Sequence, residues 1–153
     1  MTSAGGELPN DRVTTELRRL ASTLRSDLAT SAEVSRPTVD GDVVEGFSVR
    51  PATDGALEVW LMHDADGIIV GLEGCPGWQL PRTLSSVDVV RAIVDAVVAG
   101  KAEVGTGRKV RSYRVALPDG TVMADSAKGV LASLLELPWK PRIHWASAKA
   151  YTN

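Results

Sequence analysis

The feature that most constrains this chain is a segment at residues 85–100, which reads SSVDVVRAIVDAVVAG. Ser85 is suited to cap a helix, Asp88 follows it by three residues, and Gly100 is suited to end the helix in the left-handed conformation. Between these positions, valine and isoleucine recur at spacings of three and four, which is the period of an α-helix: Val87, Val90, Ile93, Val94, Val97 and Val98. So wide an apolar surface predicts a helix buried on most sides, against a sheet.

The length and composition favour one soluble domain. A chain of 153 residues with 44% hydrophobic and 24% charged residues has enough apolar material for a core. Residues 1–9 are small and polar and predict a disordered leader, so the single domain would span 10–153. The N-terminus lacks the basic start and apolar centre of a secretory signal, and no apolar run is long enough to span a membrane. We therefore expect a cytoplasmic protein.

A first helix is predicted over residues 11–31, capped by Asn10 or Asp11. Its apolar residues recur at spacings of four, three, four and four, which makes the helix amphipathic: Val13, Leu17, Leu20, Leu24 and Leu28. This leucine stripe has two interpretations. It packs on the sheet of its own domain, or it forms the seam of a homodimer.

Strand patterns lie on both sides of the central helix. Residues 32–42 and 74–82 are rich in Pro, Gly and Asp and predict a linker and a loop. Alternating apolar residues and turn signals predict a three-stranded antiparallel meander between these two segments, at residues 43–50, 57–63 and 68–73. After the central helix we expect a short strand at 102–107, and a hairpin of 109–117 and 121–125 around Pro118-Asp119-Gly120.

A third helix is predicted from about Ser126 to Leu137, where Pro138 stops it, and a tail follows with a short strand near 143–145. The order is therefore α-β-β-β-α-β-β-α plus a C-terminal tail or short strand. It predicts an α+β domain with an antiparallel sheet of about five strands and three helices. This order of elements resembles that of the small secretion chaperones of type III systems. The resemblance implies a dimeric, non-enzymatic protein that binds a polypeptide along its sheet and helix surface.

The charges are distributed unevenly along the chain. Residues 33–75 carry nine acids against two bases, whereas residues 101–153 carry nine bases against four acids. Either the two segments pair in the folded protein, or they form separate acidic and basic surfaces that would steer charged partners.

Tryptophan and basic residues are the candidates for a binding surface. Trp78, Trp139 and Trp145 lie outside periodic segments, and tryptophan and arginine are typical anchors of protein interfaces. Alternatively, the three rings seal the ends of the core.

The segment 108–114 carries Arg108, Lys109, Arg111 and Arg114 around Tyr113. Phosphate contacts with Tyr113 stacked on a base are one interpretation, and a charged edge strand that resists aggregation is the other. The net charge of −2 argues against nucleic acid as a partner.

Cys75 is the candidate for a reactive thiol. It precedes the central helix, and a helix N-terminus lowers the pKa of a nearby thiol. A cysteine nucleophile also needs a base, and His63 and His144 are the two histidines of the chain. The alternative is an incidental buried cysteine in a turn. A single cysteine excludes an intrachain disulfide and a multi-cysteine zinc site.

The segment His63-Asp64-Ala65-Asp66-Gly67 lacks the spacing of a calcium loop, and a turn between strands explains its composition. We expect no metal and no other cofactor, and no residue is assigned a catalytic role.

Three functional hypotheses follow. The first is a small non-catalytic protein that binds another polypeptide, like a chaperone, an immunity protein or an adaptor. The second is a thiol-dependent enzyme or small-molecule binder that uses Cys75. The third is a nucleic-acid-binding module that uses the basic strand. The residues expected to bind a partner are Trp78, Arg108, Arg111, Tyr113, Arg114, Trp139 and Trp145.

Overall fold

Two helices and nine strands make up the described part of the chain. The structure is a computed structural model that describes residues 7–35, 43–108, 110–128 and 143–152. The helices are α1 (Arg12–Asp27) and α2 (Leu84–Val98). Five strands lie between them, β1 (Ala32–Ser35), β2 (Glu45–Pro51), β3 (Val59–His63), β4 (Gly67–Leu72) and β5 (Trp78–Pro81). Four strands follow α2: β6 (Ala102–Gly107), β7 (Val110–Ala116), β8 (Val122–Lys128) and β9 (His144–Ser147).

The strands form two antiparallel sheets. The N-terminal sheet has the order β1-β2-β3-β4-β5, and the C-terminal sheet has the order β8-β7-β6-β9. The α+β class and the central meander β2-β3-β4 are confirmed. The prediction of one sheet of about five strands is wrong, because the strands after α2 pair with one another instead of extending the meander.

The central helix α2 is buried as its pattern predicts. Val87, Val90, Ile93, Val94 and Val97 are at most 2% exposed. The helix begins two residues earlier than expected, because the Thr83 side chain, not Ser85, accepts the Ser86 N–H at 3.2 Å. At the other end Gly100 has a φ of 76°, and the N–H groups of Gly100 and Lys101 donate to the carbonyls of Val97 and Ala96. This is the Schellman motif, for which glycine is the preferred residue.

Helix α1 begins where the sequence predicts, since the Asp11 carboxylate accepts the Thr14 N–H at 2.9 Å. It ends at Asp27, before the predicted Ser31. The leucine stripe from Val13 to Leu28 is at most 7% exposed and belongs to the same core as α2 and the N-terminal sheet. The stripe therefore packs within its own chain, as the first of its two interpretations predicts.

Two segments predicted as irregular are short strands. Residues 32–35 of the predicted linker form β1, which pairs with β2, and residues 78–81 of the predicted loop form β5, which pairs with β4. Both are four residues long and alternate half-buried with exposed positions. An alternating pattern of only four residues beside Gly and Pro cannot be distinguished from a loop in the sequence. The rest of the predicted linker, residues 36–42, lies outside the described residues.

The described residues contain two helices, not three. Residues 126–128, where the third helix was predicted to begin, continue β8 opposite β7, with Ala127 paired to Arg111. The remainder of that predicted helix lies outside the described residues. The hairpin turn before β8 is confirmed: Gly120 has a φ of 87°, and Asp119 accepts the Thr121 N–H at 2.8 Å.

The C-terminal segment joins both sheets to α2. Strand β9, expected near residues 143–145, pairs with β6. Beyond it Tyr151 is 2% exposed, and its hydroxyl donates toward the carbonyls of Val49 in β2 and of Leu57, which precedes β3. Its backbone N–H donates to Val98 of α2 at 3.0 Å. The tail is therefore part of the core.

Candidate binding surface

Strand β7 divides its side chains between two environments. Successive residues of a strand point to opposite faces, and residues paired across strands share a face. Tyr113 and Val115 are fully buried and form the inner face, while Arg114 and Ala116 are exposed on the other face, which also carries the buried Val110 and Ser112. We call this second face of the C-terminal sheet the outer face. It carries Lys101, Glu103, Gly105, Arg114, Ala116, Val122 and Trp145.

The outer face presents an arginine stacked on a tryptophan. The Arg114 guanidinium carbon lies 3.6 Å from the centroid of the Trp145 ring, which is the geometry of a cation–π contact. The pairing of β9 with β6 places Trp145 opposite Gly105. A Cβ atom at Gly105 would lie 3.0 Å from two ring atoms of Trp145 and 2.5 Å from Ile143 Cγ2. Gly105 therefore lets the indole lie close against the strand.

A shallow depression of about 500 Å³ lies beside this pair. Its lining includes Lys101, Glu103, Arg114, Ala116 and Val122. Val122 is 57% exposed, which is the largest exposure of any large hydrophobic side chain in the described part of the chain. The depression thus combines an apolar wall with two positive side chains and one negative side chain.

The basic strand does not form one surface. Arg111 and Arg114 are three residues apart, so they lie on opposite faces of β7. Arg111 bonds to the Glu73 carboxylate at 3.1 Å, and that pair links the basic half of the chain to the acidic half. Arg108 is exposed in the turn between β6 and β7, and Lys109 lies outside the described residues. The continuous row of cations that a nucleic-acid track needs is therefore divided between two faces.

Tyr113 cannot stack on a base as the sequence suggested, because its side chain is fully buried on the inner face. Its hydroxyl donates to the Glu73 carbonyl at 3.0 Å, and burial raises its pKa to about 12. Tyr113 therefore joins the two sheets and does not face a partner.

Trp78 also contacts its own chain. Its Nε1 donates to the carbonyl of Ala124 on β8 at 2.9 Å, and the neighbouring Gly77 N–H donates to the Asp125 carboxylate at 2.8 Å. These two bonds attach the edge of the N-terminal sheet to the edge of the C-terminal sheet. Trp139, the third expected anchor, lies outside the described residues.

Cys75 is 7% exposed in the turn after β4. His63 pairs with Ile68, at the far end of β4 from Leu72, and its Nδ1 accepts a hydrogen bond from Arg82 at 3.2 Å. His63 is thus positioned for a structural contact, away from the thiol. His144 is exposed on β9, across from Thr106.

The turn after His63 is closed by the Asp64 side chain. The Asp64 carboxylate accepts the N–H groups of Asp66 and Gly67 at 2.8 and 3.0 Å, which closes the turn. No group of three or more potential metal-ligating side chains occurs within the residues that the structure describes.

Sequence reasoning missed a polar cluster around Arg82, in which the Asp11 side chain is exposed and the other members are buried or half-buried. The Arg82 side chain is 9% exposed, and its guanidinium bonds to the Asp11 carboxylate at 2.8 Å and to the Thr14 hydroxyl at 2.7 Å. It also donates to the Asp64 carbonyl at 2.9 Å and to His63. We call Asp11, Thr14, His63 and Arg82 the Arg82 cluster. Because Arg82 and Asp11 are 71 residues apart in the chain, no local sequence pattern predicts the cluster.

Neither described helix is long and apolar enough to cross a membrane. Comparisons with family models, curated protein sequences and solved structures find no match for this chain. The resemblance to type III secretion chaperones therefore has no support beyond the predicted order of elements.

Proposed function

We propose that this protein is a non-catalytic binding protein that recognises an acidic, apolar polypeptide segment on the outer face of the C-terminal sheet. The observation that carries the proposal is the Arg114–Trp145 stack, whose ring and guanidinium lie 3.6 Å apart beside the exposed Val122. A chaperone, an immunity protein or an adaptor would each use a binding surface of this kind. We also propose that the protein is cytoplasmic.

The chemistry of the outer face favours a polypeptide partner. Tryptophan and arginine dominate the binding energy of protein interfaces. Because Gly105 lets the indole lie against β6, Trp145 loses little rotamer freedom when a partner binds. Val122 and Ala116 offer an apolar wall that a partner's aliphatic side chains would cover.

The charges of the outer face favour acidic residues in the partner. Lys101 and Arg114 both line the depression, against the single carboxylate of Glu103. A positive patch on a protein with a net charge of −2 is a local feature that steers negatively charged groups. The separation of Arg111 from Arg114 removes the main argument for nucleic acid, and the burial of Cys75 does not support a thiol-dependent reaction.

Binding of defined peptides tests the proposal. Short fluorescent peptides that alternate Glu or Asp with Val or Leu are titrated with the protein, beside peptides in which Lys replaces each acid. We expect the acidic series to bind and the basic series not to bind. Arg114→Ala and Trp145→Ala should each weaken binding about tenfold or more, the effect typical of an interface anchor.

Arg50→Ala is the matched control, since Arg50 is an arginine of the N-terminal sheet whose side chain is 69% exposed. It should leave peptide affinity unchanged. The proposal fails if no acidic peptide binds below about 1 mM. Affinities that are equal in the Arg114, Trp145 and Arg50 variants would also contradict it.

A further inference from the structure

We propose that the Arg82 cluster is an acid-sensitive latch, which holds the first turn of α1 on the N-terminal sheet and releases it when His63 is protonated. This inference concerns the opposite sheet and does not depend on the proposed function.

One guanidinium fixes the start of α1. Arg82 bonds to both oxygens of the Asp11 carboxylate, and Asp11 is the residue that caps α1. Arg82 also donates to the Thr14 hydroxyl, which in turn donates to the Pro9 carbonyl at 2.6 Å. The cap, the first turn and the preceding segment are therefore all held through Arg82.

The guanidinium is itself held by His63. His63 is 3% exposed, and its Nδ1 lies 3.2 Å from Arg82 Nη1. A guanidinium has only donors, so Nδ1 accepts this bond and carries no proton. Protonation would turn the acceptor into a donor that faces another donor, and would place a second positive charge beside Arg82. The contact then becomes repulsive, and Arg82 is displaced from its partners.

The surrounding charges do not remove this repulsion. Burial is the main cause that lowers the pKa of His63, and the charge of Arg82 lowers it further. Glu45 and Asp11 favour the charged imidazole, and Arg18 opposes it. Arg18 also pairs with Glu45 at 2.7 Å, which partly neutralises that carboxylate. Asp64, the next residue, contributes its carbonyl to Arg82.

The sign of the pH dependence follows from these contacts. The pKa of His63 is lowered in the closed latch, and in an opened latch it returns toward its ordinary value of 6.5. The opened form therefore binds more protons below about pH 6.5, so acid favours opening. Opening the first turn would expose Val13, which is 7% exposed in the closed form.

Hydrogen exchange of the wild-type protein tests the latch. Protection factors of the Thr14 and Thr15 amides, both bonded to Asp11, are measured from about pH 7.5 to about pH 5.5 and corrected for intrinsic exchange. We expect the protection factors to fall by up to about tenfold over this range. That is the largest fall that one histidine can cause when it is protonated only in the opened form. The Ser86 and Val87 amides in the first turn of α2 are the reference, because the Thr83 that caps them does not titrate.

Two variants separate the latch from general acid sensitivity. His63→Asn keeps an acceptor near Arg82 but cannot be protonated, so the acid-induced fall in the Thr14 and Thr15 protection factors should disappear. His144→Asn changes the exposed histidine and should behave like the wild type. An unchanged fall in the His63 variant, or an equal fall in both helices, would overturn the proposal. If His63→Asn does not fold, NMR titration of the wild type decides, since His63 and the Thr14 amide must share one midpoint and separate midpoints contradict the latch.

Discussion

Each sheet of this protein carries a tryptophan that lies over a glycine, and the two rings have different surroundings. Trp60 of the N-terminal sheet lies over Gly71, where a Cβ atom would be 2.6 Å from the ring, and its Nε1 donates to the Leu72 carbonyl at 3.1 Å. Trp145 of the C-terminal sheet lies over Gly105, and its ring supports the Arg114 guanidinium. The first ring seals its own sheet, whereas the second holds a cation at the surface. The same packing device therefore accompanies a backbone hydrogen bond in one sheet and an exposed cation in the other, where we propose that a partner binds.

The largest expected effect comes from the helix that both sheets share. Ile93 of α2 is fully buried, and α2 contacts both α1 and β7. Ile93→Ala should lower the free energy of unfolding by about 2–5 kcal/mol, because it leaves a cavity in the common core. Urea unfolding followed by circular dichroism measures the loss.

Val89→Ala is the control for this prediction, because Val89 lies on the same helix and is only half-buried. It should cost clearly less than Ile93→Ala. Equal losses for the two variants would mean that α2 is not the shared core element. Two separate unfolding transitions would mean that the sheets are independent.

A smaller effect is expected where the C-terminal tail meets the N-terminal sheet. Tyr151→Phe removes a hydroxyl that donates toward the buried carbonyls of Val49 and Leu57, and should cost about 1–3 kcal/mol. Thermal or urea unfolding at neutral pH measures it. A loss no greater than that of Tyr113→Phe, which breaks one partly buried bond to Glu73, would contradict the role of the tail.

The same tyrosines predict an alkaline loss of stability. Burial raises the pKa of Tyr151 and Tyr113 above the ordinary value of 10.0. The unfolded chain therefore loses these protons first, so the stability is complete below about pH 10 and declines as the pH rises above that value. Unfolding midpoints across this range should decline less steeply in Tyr151→Phe than in the wild type. If the unfolding midpoints of both proteins decline equally with pH, ionisation of Tyr151 does not contribute to the alkaline loss of stability.

The smallest effect compares the two tryptophans directly. Trp60→Phe removes the hydrogen bond to Leu72 and should cost about 0.5–1.5 kcal/mol. Trp145→Phe keeps an aromatic face under Arg114 and should change the free energy of unfolding by less than about 0.5 kcal/mol. A Trp145 variant that is destabilised as much as the Trp60 variant would show that both rings are structural.

The local signals in the sequence predicted the local structure. Periodicity and capping residues located α1 and α2 to within a few residues, and Pro118-Asp119-Gly120 located the hairpin between β7 and β8. Strands β1 and β5 were missed because four alternating residues carry too little pattern to distinguish them from loops.

The candidate surface was predicted only in part. Arg114 and Trp145 were both named from the sequence, but their contact depends on the pairing of β6 with both β7 and β9, which crosses a long stretch of chain. The separation of Arg111 from Arg114, by contrast, follows from strand alternation alone once β7 is recognised. The burial of Tyr113 could not be predicted from the basic segment, because it depends on how the two sheets pack together.

The amino-acid sequence by itself determined α1 and α2, the central meander, the hairpin and the residue types available for binding, because these depend on interactions a few residues apart. The tertiary structure decided that the strands form two sheets, that Trp78 and Tyr113 join them, and that Arg114 alone of its strand stacks on Trp145. It also assembled Asp11, His63 and Arg82 into one cluster. Each of these outcomes depends on which distant segments pack together. That packing is determined by the burial of apolar side chains throughout the core.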